Sequence, residues 1–219
     1  MRNLFNLDSP LMRILERVAD LIALNLVWLG CCLGFVTIGP ATIAKCSIAR
    51  SMARGDSPPV LRRFFEIFRE SFVFGLKLFC CLLVPTALAG VYLLLAASGG
   101  LDGNLLLKYL CYIGVAVIAV VCTFAYPLAA HFENSLGQTL RNAVLLPLGN
   151  PVLALLTAVL NLLPLILALY ATAFFSRIWI FWLVIGFSGT ALVNAWLLGR
   201  FFGRLGGSGE KAESPRRRL

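Results

Sequence analysis

The sequence predicts an all-α membrane protein with about five transmembrane helices plus short cytoplasmic amphipathic helices. Three observations carry this reading. Of 219 residues, 60% are hydrophobic and only 13% charged, against roughly half apolar in soluble domains, which excludes a water-soluble globular enzyme. Five windows hold no Asp, Glu, Lys or Arg: 21–44, 78–101, 109–130, 142–176 and 178–199, with lengths of 24, 24, 22, 35 and 22 residues. About 20 apolar residues in a helix cross a hydrocarbon core of roughly 30 Å, so every window is long enough to span, and the longest is too short for two spans and a turn. The charges gather between the windows, in stretches whose apolar residues follow a helical period.

The first helix starts at Asp8-Ser9-Pro10, where Asp or Ser accepts from free backbone N–H groups and Pro tolerates the first helical position. Leu11, Ile14, Leu15 and Val18 then share one face, so a surface helix bends into a first span over 19–38. Thr37-Ile38-Gly39-Pro40 reads as its end. Residues 41–71 form an amphipathic insert of two helices: one over 41–53 stopping at Gly55, and one announced by Asp56-Ser57-Pro58-Pro59 that aligns Phe64, Phe65 and Phe68 as a candidate interface. Spans two and three, 72–97 and 105–130, are joined by the turn 98–104, which makes an antiparallel hairpin. A second insert over 135–148 opens with Ser135-x-x-Gln138, a capping box. Gly149-Asn150-Pro151 closes it. Spans four and five cover 152–175 and 178–200, completing a single membrane domain over 1–205. The polar tail 206–219, with Arg216-Arg217-Arg218, is expected to be disordered and cytoplasmic.

With 41–71 cytoplasmic, 14 Lys and Arg lie inside and 5 outside. That bias puts the C-terminus in the cytoplasm and the N-terminus outside. It leaves Arg2, Arg13 and Arg17 on the wrong side, and they return inside only if the first apolar segment is a re-entrant hairpin, for which Asn25, Gly30 and Gly34 leave room.

Chemistry-bearing groups are sparse. The net charge is +9, without a basic domain or aromatic motif that would read nucleic acid. All seven cysteines sit in or beside apolar stretches as packing residues, and one His, His131, stands alone, so no metal site and no cofactor is expected. No phosphate-binding loop, nucleophile elbow or zinc-protease motif occurs, and no enzyme activity is expected. The deep polar residues are Asn25, Thr123, Asn161 and Asn194, which serve as interhelical glue or line a cavity, with Tyr126-Pro127 and Asn161-x-x-Pro164 the places for one. Ala191, Ala195, Gly199 and Gly203 recur every fourth residue as a smooth ridge for close helix contact, within the chain or with a partner.

Together, Leu4-Phe5-Asn6-Leu7-Asp8-Ser9-Pro10, Asn25-Leu26-Val27-Trp28-Leu29, Thr37-Ile38-Gly39-Pro40-Ala41-Thr42, Arg54-Gly55, Phe64-Phe65-x-x-Phe68 and Phe132-Glu133-Asn134-Ser135-x-x-Gln138-Thr139-x-x-Asn142-Ala143 resemble the YesL-like family of bacterial integral membrane proteins, whose function is uncharacterised. The resemblance implies a multipass protein of the bacterial plasma membrane. Its members are often encoded beside carbohydrate uptake systems of the ATP-binding-cassette type, which implies an accessory or assembly role toward transporter permease subunits. The alternative is a self-contained transporter or channel for a small neutral solute. The expected partners are the lipid bilayer, permease subunits or a second copy of the chain.

Overall fold

The computed structural model describes residues 10–56, 59–99, 105–132, 135–170, 177 and 179–209. Among them there is no strand. The eight helices followed below are α1 (Pro10–Cys32), α2 (Ile38–Ala53), α3 (Val60–Glu70), α4 (Phe72–Ala97), α5 (Leu105–His131), α6 (Leu136–Gly149), α7 (Pro151–Tyr170) and α8 (Phe187–Gly209), with a π-helical turn over Trp182–Gly186 leading into α8. The Asp8-Ser9 helix start, most of the 98–104 turn, the 171–176 end of the fourth expected span and the tail beyond 209 lie outside the described residues.

Three segments, Phe72–Ala96, Leu105–His131 and Trp179–Gly199, are each long and apolar enough to cross a membrane. The pair α6 and α7 passes the same test as one span bent by 114° at Asn150, giving three or four candidate spans among the described residues where about five are expected. Bulky apolar side chains such as Val84, Leu88, Leu94, Leu106, Ile113 and Val117 stand exposed on the outer faces of α4 and α5. In water that surface would be an aggregation patch, whereas in a bilayer it meets lipid. The molecule is an all-α membrane protein.

The first expected span departs from the expectation. The 19–38 segment is not one helix: α1 stops at Cys32, a 3-10 turn follows over Phe35–Thr37, and α2 begins at Ile38. The Thr37 hydroxyl donates back to the Cys31 and Gly34 carbonyls, satisfying acceptors that the end of a helix leaves open. Gly39-Pro40, expected to end a helix, opens one. Proline in the first turn gives up an N–H that has no intrahelical acceptor there anyway. The α2 helix then runs back along α1: Trp28 meets Thr42 and Lys45, Leu21 lies with Met52 and Asp56, and the Arg17 guanidinium reaches Gly55. This is an antiparallel hairpin with both its ends on one side.

The α2 helix is also no surface insert. Nine of its sixteen residues are buried, because it feeds two cores at once. Ala41, Ala44, Ile48 and Met52 pack with Leu24 of α1 and with Val60 and Phe64 of α3. Ile43 joins Leu78 and Leu82 of α4, Phe124 and Leu128 of α5 and Leu198 of α8. Its small residues permit this. Gly39 sits against Gly75 of α4 so tightly that a Cβ on Gly75 would come within 2.6 Å of the Pro40 nitrogen. The α2 helix ends at Arg54, and Gly55 turns the chain with φ of +97°, a left-handed value that glycine adopts without strain.

The other inserts follow the expected pattern. The Ser135 Oγ accepts from the Gln138 N–H at 3.4 Å, while Gln138 Oε1 accepts from the Ser135 N–H at 3.3 Å, so the capping box at the start of α6 is formed. Pro85, Pro127 and Pro164 lie inside α4, α5 and α7 without ending them. The α8 helix carries on to Gly209, four residues into the stretch expected to be a disordered tail.

Candidate functional site

A cleft of about 1340 Å³ opens between α2, α4, α5, α7 and α8. One face of α2 forms part of its wall, with Thr42, Lys45, Cys46, Arg50, Ala53 and Arg54 recurring at helical intervals. Thr86, Ala89, Gly90 and Leu93 come from α4 at the same spacing, and α5 contributes a long strip from Tyr112 to His131. The α8 helix supplies Ala191, Asn194, Ala195 and Gly199.

Of the five polar candidates, Asn25, Thr123, Tyr126, Asn161 and Asn194, four meet here. Tyr126, Asn161 and Asn194, drawn from α5, α7 and α8, all line the cleft, as does Thr123. Asn161 Nδ2 donates to the Thr157 carbonyl at 2.9 Å, one turn back on its own helix. Asn194 is 4% exposed, and its Oδ1 has no hydrogen-bond partner among the described residues. A buried acceptor left unpaired in this way costs on the order of 1–3 kcal/mol. Asn25 is elsewhere and is structural. Fully buried, it donates to the Trp182 and Leu183 carbonyls at 3.3 and 2.6 Å and accepts from the Ser188 N–H and hydroxyl at 3.0 and 3.1 Å. It thereby ties α1 to the irregular π turn, whose wider winding displaces backbone carbonyls from the α pattern.

The candidate interface residues divide. Phe64 is fully buried against α1 and α2, while Phe65 is 47% exposed and Phe68 is half-buried. Phe64 stacks on Phe68 with ring centroids 6.2 Å apart, so the aromatic row mainly docks α3 onto its own hairpin. Ala191, Ala195 and Gly199 form a wall of the cleft. Spacing showed that they share a face but not what that face meets. Gly203 lies on the same helix beyond them.

The cationic side of the cleft escaped the sequence reading. Lys45 is 7% exposed, with its Nζ 3.5 Å from the centre of the Trp28 ring, a cation–π contact. Trp28 is held in turn by its Nε1 donating to Thr42 Oγ1 at 3.3 Å and by Phe187, 5.3 Å away. Burial pushes the Lys45 ammonium down to about 8, while the nearby Cys46 and Cys32 act in the opposite direction, so at neutral pH it is still mostly charged. Arg50 Nη1 lies 3.5 Å from the His131 carbonyl oxygen and Nη2 lies 3.4 Å from His131 Nε2. Burial and the neighbouring Arg54 both hold the Arg50 guanidinium below its ordinary range. The available signal was the stripe Thr42, Lys45/Cys46, Arg50, Ala53/Arg54 on a helix whose other residues are uncharged and mostly small or aliphatic. The seven cysteines are free thiols. Among the described residues no three His, Cys, Asp or Glu gather into a metal-ligand set.

The helices and the cleft define the class, an all-α membrane protein with a large, partly polar cleft between its helices. A family model described as protein of unknown function, DUF624, matches residues 21–94, from the middle of α1 through most of α4. Over that stretch the chain is similar to a family without an assigned activity. No curated protein and no solved structure matches the chain.

Proposed function

We propose that this chain is a multipass protein of the bacterial plasma membrane and works as a self-contained binding and passage protein, with the cleft as its ligand site. The observation that carries this is the convergence of Tyr126, Asn161 and Asn194 from three helices on one cavity, with the buried Asn194 acceptor left open. Ligand sites have this form, apolar walls with a few converging polar groups. Naming the chain YesL-like is compatible with the DUF624 match.

The orientation we propose has both ends of the α1–α2 hairpin in the cytoplasm. Arg2, Arg13 and Arg17 then join the 14 cations already counted there, leaving Lys108 and Arg177 outside. Seventeen to two is a sharper bias than fourteen to five, and short basic segments resist translocation.

A second reading, an accessory or assembly partner of a carbohydrate uptake system, is favoured by the exposed Leu61 and Phe65 on α3, a surface that would seat a permease subunit. The test uses native thiols. Single-cysteine proteins retaining Cys46 or Cys122, both in the cleft, are treated in membrane vesicles with an impermeant methanethiosulfonate from either face. Reaction from both faces supports passage. No reaction from either face, while a protein retaining only the exposed Cys80 still labels in detergent, sinks the cleft reading and brings co-purification of permease subunits to the front.

A further inference from the structure

The cleft is longer than a small polar solute needs. Its wall on α5 runs from Tyr112 to His131, nineteen residues that at 1.5 Å each make about 28 Å, nearly the depth of a hydrocarbon core. Its charge is lopsided. Lys45, Arg50 and Arg54 gather on the last turns of α2 beside His131, whereas Leu93, Tyr112, Val115 and Ala116 wall the far end. Among the described residues no Asp or Glu lines the cleft. Arg50 and Arg54, four apart on one helix, repel each other, and burial weakens the hold of Arg50 on its proton. Lys45 sits inside the protein with an aromatic ring, and no carboxylate, as its described neighbour. Such a cationic pocket between apolar helices at one membrane face suits a phosphate headgroup, and the apolar length behind it suits an acyl chain.

We infer that the cleft holds an amphiphilic anion of the phospholipid class, its phosphate at Arg50 and Arg54 beside Lys45 and its acyl chain lying along α5 between α4 and α8. This deepens the cleft reading and rests on it, since it names what occupies that site. A free phosphate compound shares the headgroup chemistry but has no use for the apolar length, and the experiment separates the two.

Full-length protein is purified in a mild non-ionic detergent, and retained ligand is measured by native mass spectrometry after addition of phosphatidylglycerol, phosphatidylcholine with the same chains, or glycerol 3-phosphate. Phosphatidylglycerol is expected to be retained at least tenfold better than phosphatidylcholine and not to be displaced by excess glycerol 3-phosphate. The pair Arg50→Gln and Arg54→Gln lowers that retention about tenfold. The pair Arg62→Gln and Arg69→Gln, on the exposed face of α3, leaves it unchanged, and Arg50→Lys with Arg54→Lys keeps most of it. Equal retention of both lipids, undiminished retention in the Gln pair, or displacement by glycerol 3-phosphate overturns the inference. The wild-type comparison of lipids stands even if a variant fails to fold. Equal lipid retention with Cys46 and Cys122 still reactive to thiol reagents fails the lipid alone, whereas unreactive Cys46 and Cys122 in delipidated protein fail the cleft reading beneath it.

Discussion

Gly75 and Pro40 bring two helices into backbone contact: a Cβ on Gly75 would stand 2.6 Å from the Pro40 nitrogen and 2.7 Å from its Cα. Nothing flexible lies between α4 and the start of α2, so a methyl group there forces the helices apart. Gly75→Ala is expected to destabilise by about 3 kcal/mol or more. Gly90→Ala and Gly114→Ala, whose added methyl groups would meet nothing within 4 Å, are expected to be neutral or to gain up to about 1 kcal/mol from helix propensity. Thermal unfolding of the three proteins in one detergent is the check. A Gly75→Ala protein that melts with the wild type removes the argument.

Lys45 gives a pH dependence with a definite sign. Its ammonium is ordinary in the unfolded chain, at 10.5, and is pushed to about 8 in the fold. Between those values the unfolded state holds the extra proton, so stability rises with pH across that window. Below about 8 both states are protonated and the full cost of burying the charge is present, on the order of 3 kcal/mol. The groups facing it are Trp28 and Cys32 from α1 and Cys46 from α2. The melting temperature is expected to climb between pH 7.5 and 10 more steeply in wild type than in Lys45→Met. Parallel profiles for the two proteins refute the assignment.

Asn194 sets stability against use of the cleft. The similarly sized apolar substitution Asn194→Leu removes a desolvated, unpaired acceptor, Oδ1, and we expect a gain of about 1 kcal/mol. The same change takes away a polar anchor for a ligand. Thermal unfolding read beside labelling of Cys122 or ligand retention is expected to move the two in opposite directions. A loss of stability would mean that Asn194 is already satisfied.

Phe64 and Phe65 are neighbours with different jobs. Phe64→Ala empties a fully buried site between α1, α2 and α3 and is expected to cost about 3–5 kcal/mol. Phe65→Ser acts on a half-exposed ring and is expected to shift stability by less than about 1 kcal/mol. Chemical crosslinking in native membranes then asks whether Phe65→Ser loses a neighbour that wild type has. Unchanged crosslinks leave the exposed face without a partner role.

What the sequence made legible was local or long. The α4 helix runs from Phe72 to Ala97 as expected, and the α6 capping box forms, because a charge-free window and a four-residue motif each contain their own physics. Tyr126, Asn161 and Asn194 were recognisable as polar residues at depth. Their meeting point depends on how α5, α7 and α8 pack. The α1–α2 hairpin was hidden because Gly-Pro marks a helix start as well as a helix end, and only the fold decides between them. Lys45 was hidden because its burial depends on Trp28, seventeen residues earlier, and on packing that closes around both.

The Asn25 tie to the π turn has a consequence for how the protein is made. The ribosome delivers Asn25 163 residues before its partner Ser188, which at roughly 5–20 residues per second is a delay on the order of ten to thirty seconds. Through that interval the polar end of the amide has no protein partner of its own. The tie between α1 and the π turn therefore closes last, and a chain interrupted after α7 leaves the Asn25 amide unclasped while the packing of the hairpin on α3, α4 and α5 is already in place.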